Sequence, residues 1–452
     1  VSSARTSDSD RSTEMTLVIQ DKDVPEISDL SSFSYVSDCM QVSCPFSAEI
    51  PDPRSYWSAR LRRGDKVTLY LSNPAVNQGR RAKKMIGRMV DLEQGNRPGT
   101  GRVLRVTGAD LGWHLVHDFG PLGFAVNKTT YERLLKAVLD PSWGFAGVRW
   151  GDGNSLNRQV KLGRQQKLLN LTANGKTPLQ YIGIEPGEQL SSLLTDVARF
   201  DASLLTVSAD GYLQAWNPDY SRTPAYQFEY HGEEETERRR NNITDVTVKS
   251  SADPLYSKFT CVGEILLQLK DVDPSDPHPG RKIGRAQVLL DQRGNVSILP
   301  ADKKSRAAVS SGLAASVNSP ILPFFTQNTY VDTEQFDREY CQANAEWKAR
   351  RALFDAWSYR FESPYHQQGG VWFESDMMLS LIDTKNYDDT YNPPRKIVGN
   401  YWCQSVELHW DKDRGGGTAF VVKKPGLLKA PIVGRGGTNP YDATKKSTVV
   451  VK

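Results

Sequence analysis

His114 and His117 stand three residues apart with Asp118 beside them, a spacing that puts two imidazoles on one face of a helical turn, where they could ligate a metal. A closed site needs further ligands, and none follows at a supporting distance, so the pair reads as structural or surface histidine. His231, His278, His366 and His409 sit in turn or strand contexts without a neighbouring Cys or acidic cluster. No metal site is assigned. Asp271, Asp273, Ser275 and Asp276 look like the start of a calcium loop, but its sixth position, which needs Gly, is Asp276 and its twelfth, which needs Glu, is Lys282. Pro274, Pro277 and Pro279 also forbid that turn, so the segment reads as a solvated loop.

No nucleophile elbow, Walker loop or dinucleotide fingerprint is present, and Gly415 to Gly417 lie between strand patterns rather than between a strand and a helix. Glycoside hydrolysis needs two placed carboxylates, and among 53 acidic residues any pair can be drawn, so acid abundance argues for nothing. No catalytic residue and no cofactor are assigned. Two basic clusters remain: Arg80, Arg81, Lys83, Lys84 and Arg88, and Arg238 to Arg240. The second is compensated by Glu233, Glu234, Glu235 and Glu237. The first could face phosphate, but 57 basic against 53 acidic residues leave a net charge of +4, and a solvated loop is the better reading for a chain so near neutrality. A dedicated nucleic-acid binder carries a larger basic excess.

Cys39, Cys44, Cys261, Cys341 and Cys403 are odd in number and fit no zinc spacing, which implies free thiols made in a reducing compartment. If Cys39 and Cys44 share one extended strand, they are about 17 Å apart and face opposite sides, too far for a disulfide. No apolar run approaches the ~20 residues of a membrane helix, and the first 35 residues hold no apolar segment of a secretory signal.

The elements that position these residues follow from periodicity. At 452 residues the chain exceeds what one hydrophobic core serves, so two to four domains are expected. Frequent turns, with 35 Gly and 25 Pro, and 10 Trp and 18 Tyr favour a β-rich architecture. Residues 1–30 are Ser- and Asp-rich and read as a flexible arm. Period-two alternation over Val42 to Ile50, Lys66 to Leu71, Met85 to Leu92 and Arg102 to Thr107 predicts a compact antiparallel β domain over 31–108. Residues 109–201 read as a small α+β segment with helices at Thr129 to Asp140 and Gly187 to Phe200. A second β domain is expected over 202–250 and 331–424, opening with the hairpin Ser203 to Ser208 and Tyr212 to Trp216. It contains a long helix, Thr333 to Tyr359, with Phe336, Tyr340, Ala343, Trp347 and Phe354 as its apolar stripe. Residues 251–330 read as an inserted β-rich domain and 425–452 as an extended tail.

Gly101 to Leu122 (GRVLRVTGADLGWHLVHDFGPL), Ile184 to Trp216 (IEPGEQLSSLLTDVARFDASLLTVSADGYLQAW) and Cys341 to Phe361 (CQANAEWKARRALFDAWSYRF) follow a β domain containing Trp57, Arg62 to Lys66 and Val67 to Leu71. In this order they resemble the baseplate hub of contractile-tailed, Mu-type bacteriophages, over about residues 33–428. The hub fold is shared with the N-terminal part of type VI secretion spike proteins. The resemblance implies a β-rich α+β fold with two similar antiparallel, tail-tube-like β-barrels. It implies a homotrimer whose six barrels adapt a trimeric central spike to a hexameric tail tube. The partners it implies are the spike, tube or tube-initiator proteins, baseplate wedge proteins and the tape-measure protein, with genomic DNA only in transit. It further implies a virion protein assembled in the bacterial cytoplasm, non-enzymatic, with no stable membrane association. Near-neutrality suits a conduit that DNA crosses, because each neutralised phosphate adds affinity through counterion release. The alternatives are a tail-associated cell-wall hydrolase or glycan-binding protein, and a type VI spike-like hub, for which a long repetitive β-helix would be expected beyond Pro425.

Overall fold

The computed structural model describes residues 13–20, 22–97, 101–119, 125–127, 131–150, 166–168, 179–183, 187–200, 204–234, 241–263, 286–290, 296–300, 314–318, 327–332, 338–389, 391, 393–413 and 415–428. The first strands are β1 (Glu14–Ile19), β2 (Ser32–Asp38), β3 (Pro45–Pro51), β4 (Lys66–Ser72), β5 (Ala82–Arg97) and β6 (Gly101–Asp110), with the short helix α1 (Tyr56–Arg60) between β3 and β4. Next come α2 (Gly112–His117), β7 (Ala125–Asn127), α3 (Tyr131–Val138), β8 (Gly147–Trp150), β9 (Gln166–Leu168), β10 (Leu179–Gly183) and α4 (Leu190–Phe200). They are followed by β11 (Leu204–Val207), β12 (Tyr212–Trp216), β13 (Tyr226–Tyr230), β14 (Asp245–Ser250), β15 (Lys258–Gly263), β16 (Ala286–Leu290), β17 (Val296–Pro300), β18 (Ala314–Asn318) and β19 (Gln327–Asp332). The last elements are α5 (Arg338–Ala356), β20 (Trp357–Ser363), β21 (Gln367–Gln368), β22 (Val371–Trp372), β23 (Met378–Asp388), β24 (Arg395–Asp411) and β25 (Gly415–Lys423).

The strands predicted from alternation form, and their inward residues are buried: Phe46, Ala48 and Ile50 in β3, Val67, Leu69 and Leu71 in β4, Met85 and Met89 in β5. They stand in the order β1-β4-β5-β6-β3-β2, and β2 then pairs antiparallel with β24 from the far end of the chain. One twelve-stranded sheet therefore runs through both expected β domains. The strand β24 makes this possible by its length. One edge pairs first with β23, up to Trp402, and then with β2, from Ser405 to Asp411, while β25 lines the other edge from Trp402 onward. The core is shared as well: Phe33, Phe46 and Leu69 from the first half join Phe228, Phe361 and Phe420 from the second. Phe361 stacks on Phe420 at 4.6 Å and 8°, and Phe228 and Phe373 close around Phe420 at 4.9 and 5.0 Å. Such pairs add about 0.5–1.5 kcal/mol each beyond burial. Close approach is also enforced at Gly87, where a Cβ would sit 2.0 Å from the Ala109 carbonyl oxygen of β6.

Four expectations need correction. The arm expected at residues 1–30 is not free in its second part: β1 pairs with β4 from Glu14↔Ser72 to Ile19↔Val67, and Met15, Leu17 and Ile19 are buried. Each such burial contributes about 1.5–3 kcal/mol, enough to hold a short strand in place. The hairpin β11–β12 does not enter the large sheet; β12 pairs parallel with β8, and Leu205, Leu213 and Ala215 share a separate core with Leu115, Leu135, Leu190, Leu193 and Leu194. The hairpin thus belongs with the small α+β unit. Helix α5 stops at Ala356, where β20 begins without a loop. Of the expected stripe Phe354 is buried against Trp402, while the face packed on Phe259 and Cys261 of β15 runs through Ala345, Ala349 and Ala352. Phe336 lies outside the described residues, and Trp347 is only partly buried. Finally, Cys39 and Cys44 do not share a strand: they flank the turn between β2 and β3. Parts of the expected insertion that are described form a sheet β18-β15-β19 beside α5 and a hairpin β16–β17.

Candidate functional site

A cavity of about 400 Å³ opens where the large sheet meets the small α+β unit. Its floor comes from the β2–β3 turn and the end of β6, one wall from Lys83 to Met85 of β5, the facing wall from β8, β11 and β12, and its back from residues 373–377. Four carboxylates line it, Asp38, Asp110, Glu374 and Asp376, and each is committed to the protein. Asp110 Oδ2 accepts from the Cys44 amide at 3.1 Å and Oδ1 from the Gly112 amide at 2.9 Å, which fixes the turn into α2. Burial pushes its pKa up to about 7. Asp38 Oδ1 accepts from the Met40 amide at 2.8 Å, and burial raises its pKa too. Asp376, in the left-handed region at φ 58°, accepts from Trp216 Nε1 at 2.7 Å and Trp402 Nε1 at 2.9 Å. Its pKa is also raised by burial, which outweighs the two indoles and Arg222. Trp216 ends β12 and Trp402 lies in β24, so one side chain fastens the small unit to the large sheet.

One ion pair spans the same junction, and a second beside it joins the two halves of the large sheet. Lys83 Nζ reaches Asp210 Oδ1 at 3.0 Å in the β11–β12 turn, and Lys84 Nζ reaches Glu374 Oε1 at 2.6 Å while lying 5.3 Å over the Trp372 ring. A largely solvent-facing pair such as Lys83–Asp210 contributes about 0–1 kcal/mol, so it aligns the parts more than it holds them. The thiols at the cavity are donors: Cys39 Sγ points to the Gln404 carbonyl at 3.0 Å and Cys44 Sγ to the Asp38 carbonyl at 3.7 Å. Burial pushes both thiols, and that of Cys403, well above the ordinary cysteine range. The cavity lining contains no histidine among the described residues. What the arrangement does chemically is join two structural units.

Four of the five residues of the first basic cluster make contacts within the chain, and Arg80 is exposed. Arg81 pairs with Glu26, Lys83 and Lys84 make the pairs above, and Arg88 donates to His114 Nε2 at 3.1 Å and to the Gly64 carbonyl at 3.0 Å. His114 and His117 turn apart: His114 stacks on Trp143 at 5.1 Å, and His117 stacks on Trp113 at 4.4 Å with Nδ1 at 2.9 Å from the Trp113 carbonyl. Burial and Arg88 lower the His114 pKa against the pull of Asp118. No group of three or more metal-ligating side chains occurs among the described residues. Cys39, Cys44 and Cys403 are buried free thiols, and Cys261 is buried as well. Asp271 to Lys282 and Arg238 to Arg240 lie outside the described residues, as does the side chain of Cys341. Asp376 escaped the sequence reading; its one signal was Ser375-Asp376 between two strand patterns, a turn composition.

No family model matches the chain, and no curated protein does. Solved structures do. A tail protein from Neisseria meningitidis MC58 superimposes with a TM-score of 0.62 at 16% identity, covering 92% of this chain and 98% of that one. The 43 kDa tail protein of prophage MuSo2 from Shewanella oneidensis gives 0.61 at 15% identity, covering 92% and 99%. The fold is that of a phage tail protein. A component of the Escherichia coli type VI secretion system gives a TM-score of 0.41 at 9% identity, covering 91% of this chain and 78% of that one, which is too distant to carry weight. The tail-protein fold thus extends over both halves of the large sheet and the unit between them. No helix among the described residues is long and apolar enough to cross a membrane.

Proposed function

We propose that the chain is the structural baseplate hub of a contractile phage tail: a homotrimeric ring that adapts a threefold central spike to a sixfold tail tube. The observation that carries this reading is the tail-protein fold over 92% of the chain. The sheet supports it further. Each half, β1 to β6 and β13, β14, β20 and β23 to β25, is read as one tube-like barrel, and the β2–β24 pairing joins the two directly, as neighbouring positions around one ring require. Closed rings need heterologous contacts between copies. The other partners are the spike, tube or tube-initiator proteins, baseplate wedge proteins and the tape-measure protein, with DNA in transit through the channel. The protein acts in the virion, at the tail baseplate, after assembly in the bacterial cytoplasm, and performs no catalysis. Labelling intact particles with an antibody to this chain tests the reading: signal at the distal end of the tail is expected, and labelled tails without it would refute the placement. Incubation with purified peptidoglycan tests the alternative. Neither turnover nor co-sedimentation is expected; either one favours a hydrolase or glycan binder.

A further inference from the structure

Among the described residues six large apolar side chains are exposed, and three of them, Tyr387, Tyr391 and Val398, belong to the single hairpin built by β23 and β24. The same hairpin exposes Lys385, Arg395 and Lys396. At the turn end of the hairpin, where these cations lie, two carboxylates stand against them; the exposed Glu407 is at the far end of β24, where it accepts from Ser34. Asp388 is buried with Lys424 Nζ at 2.7 Å, which leaves Asp389 as the exposed acid there. Cations and rings pair on both faces of the hairpin's end: Lys396 Nζ lies 3.7 Å from the centre of the Tyr387 ring on one, beside Val398, and Arg395 Cζ 4.9 Å from that of Tyr391 on the other.

This end of the hairpin is held in one shape. Fully buried Asp383 accepts from the Tyr359 hydroxyl at 2.7 Å, and from the amides of Lys385 and Asn386 and the side-chain amide of Asn386, each at 2.9 Å. These bonds set the bulge that re-aims β23 between Asp383 and Tyr387. Burying a carboxylate is costly unless its lone pairs are satisfied, and here four donors satisfy it. A hairpin fixed in this way loses little conformational freedom when it binds. Aromatic and Arg side chains on a rigid support are the composition of an interface centre.

We infer that the β23–β24 hairpin is a docking surface for an acidic protein surface. Within the hub reading, on which this rests, the partner is the tail-tube protein stacked on the ring. The charge decides the class: three exposed cations against one exposed acid call for carboxylates opposite, with the two tyrosines and Val398 supplying apolar contact.

The test titrates the chain, in its native assembly, with purified tail-tube protein at low and high salt. Tyr387→Ser and the pair Arg395→Glu with Lys396→Glu should each weaken binding about tenfold or more, and the charge reversal should remove most of the salt dependence. Val371→Ser, which alters an exposed apolar side chain on a different hairpin, should leave binding unchanged. Melting temperature and assembly mass should not move, because every altered side chain is exposed. Wild-type affinity in both hairpin variants overturns the inference, as does equal loss in the control, a change of assembly mass that marks a self-contact, or displacement of the tube protein by duplex DNA. If the wild-type chain does not bind the tube protein at all, the hub reading fails; if it binds and the hairpin variants bind equally well, the docking surface alone fails.

Discussion

The hydroxyl of Thr13 donates to Nδ1 of His366 at 2.9 Å, joining two residues 353 positions apart. The direction of the bond follows from its neighbours. Nε2 of His366 lies 2.8 Å from the His409 carbonyl, which can only accept, so Nε2 carries the proton and Nδ1 must accept. Asn73 Nδ2 donates to the same Thr13 oxygen at 3.0 Å. Thr13 therefore ties β4's end to the second half of the sheet, immediately before β1. Replacing Thr13 by Val removes the bond from Asn73 Nδ2 and the donor to His366 Nδ1, and is expected to cost about 1–3 kcal/mol, read from denaturant melts.

The neutral ring sets a pH dependence. Burial holds the His366 pKa below its ordinary value, so between its folded value and the unfolded one of about 6.5 the unfolded chain binds the extra proton. Its contribution is complete above about pH 6.5 and is lost as the pH falls toward the folded value. Asp110 acts in the opposite sense: with a folded pKa of about 7, its contribution is present below the unfolded value of about 3.9 and is lost as the pH rises through about 7. Comparing pH series of melts, His366→Gln should flatten the acid-side loss and Asp110→Asn the loss toward neutrality. Unchanged slopes in both variants would contradict these assignments.

Asp376 is expected to be among the most sensitive positions at the junction of the two units. Asp376→Ala leaves two indole N–H groups unpaired, at about 1–3 kcal/mol each. A loss of about 2–5 kcal/mol is predicted, together with greater protease sensitivity in the small unit. Asp376→Asn keeps an acceptor and a residue tolerant of positive φ, so it should lose less.

Cys39, Cys44 and Cys403 should resist iodoacetamide in the native state and react fully once the chain is denatured. Their thiols are buried, protonated and bound to backbone carbonyls. Non-reducing gels should show no cross-link through them; rapid native labelling would contradict their placement.

Much of the first half was legible because apolar residues recur at every second position, Phe46, Ala48 and Ile50 or Val67, Leu69 and Leu71. The strand β1 repeats the pattern with Met15, Leu17 and Ile19, but it is six residues long and follows a Ser- and Asp-rich stretch whose composition points to an unpaired arm; what buries it is β4, some fifty residues on. In α5 the large side chains Trp347 and Phe354 drew attention, yet close packing on β15 uses the small Ala345, Ala349 and Ala352. The basic cluster looked like one surface because its counter-charges are remote in sequence: Lys84 finds its acid 290 residues away. The β2–β24 pairing that merges the two expected domains has no local signal, because register between distant strands depends on the whole sheet.

The native mass of the purified chain tests the central claim most directly. Sedimentation equilibrium or native mass spectrometry, with the spike protein present if needed, should give three times the 50.5 kDa chain mass, and images of that species should show threefold symmetry. A species that remains monomeric with spike present, or one that closes as a twofold dimer, would contradict the hub.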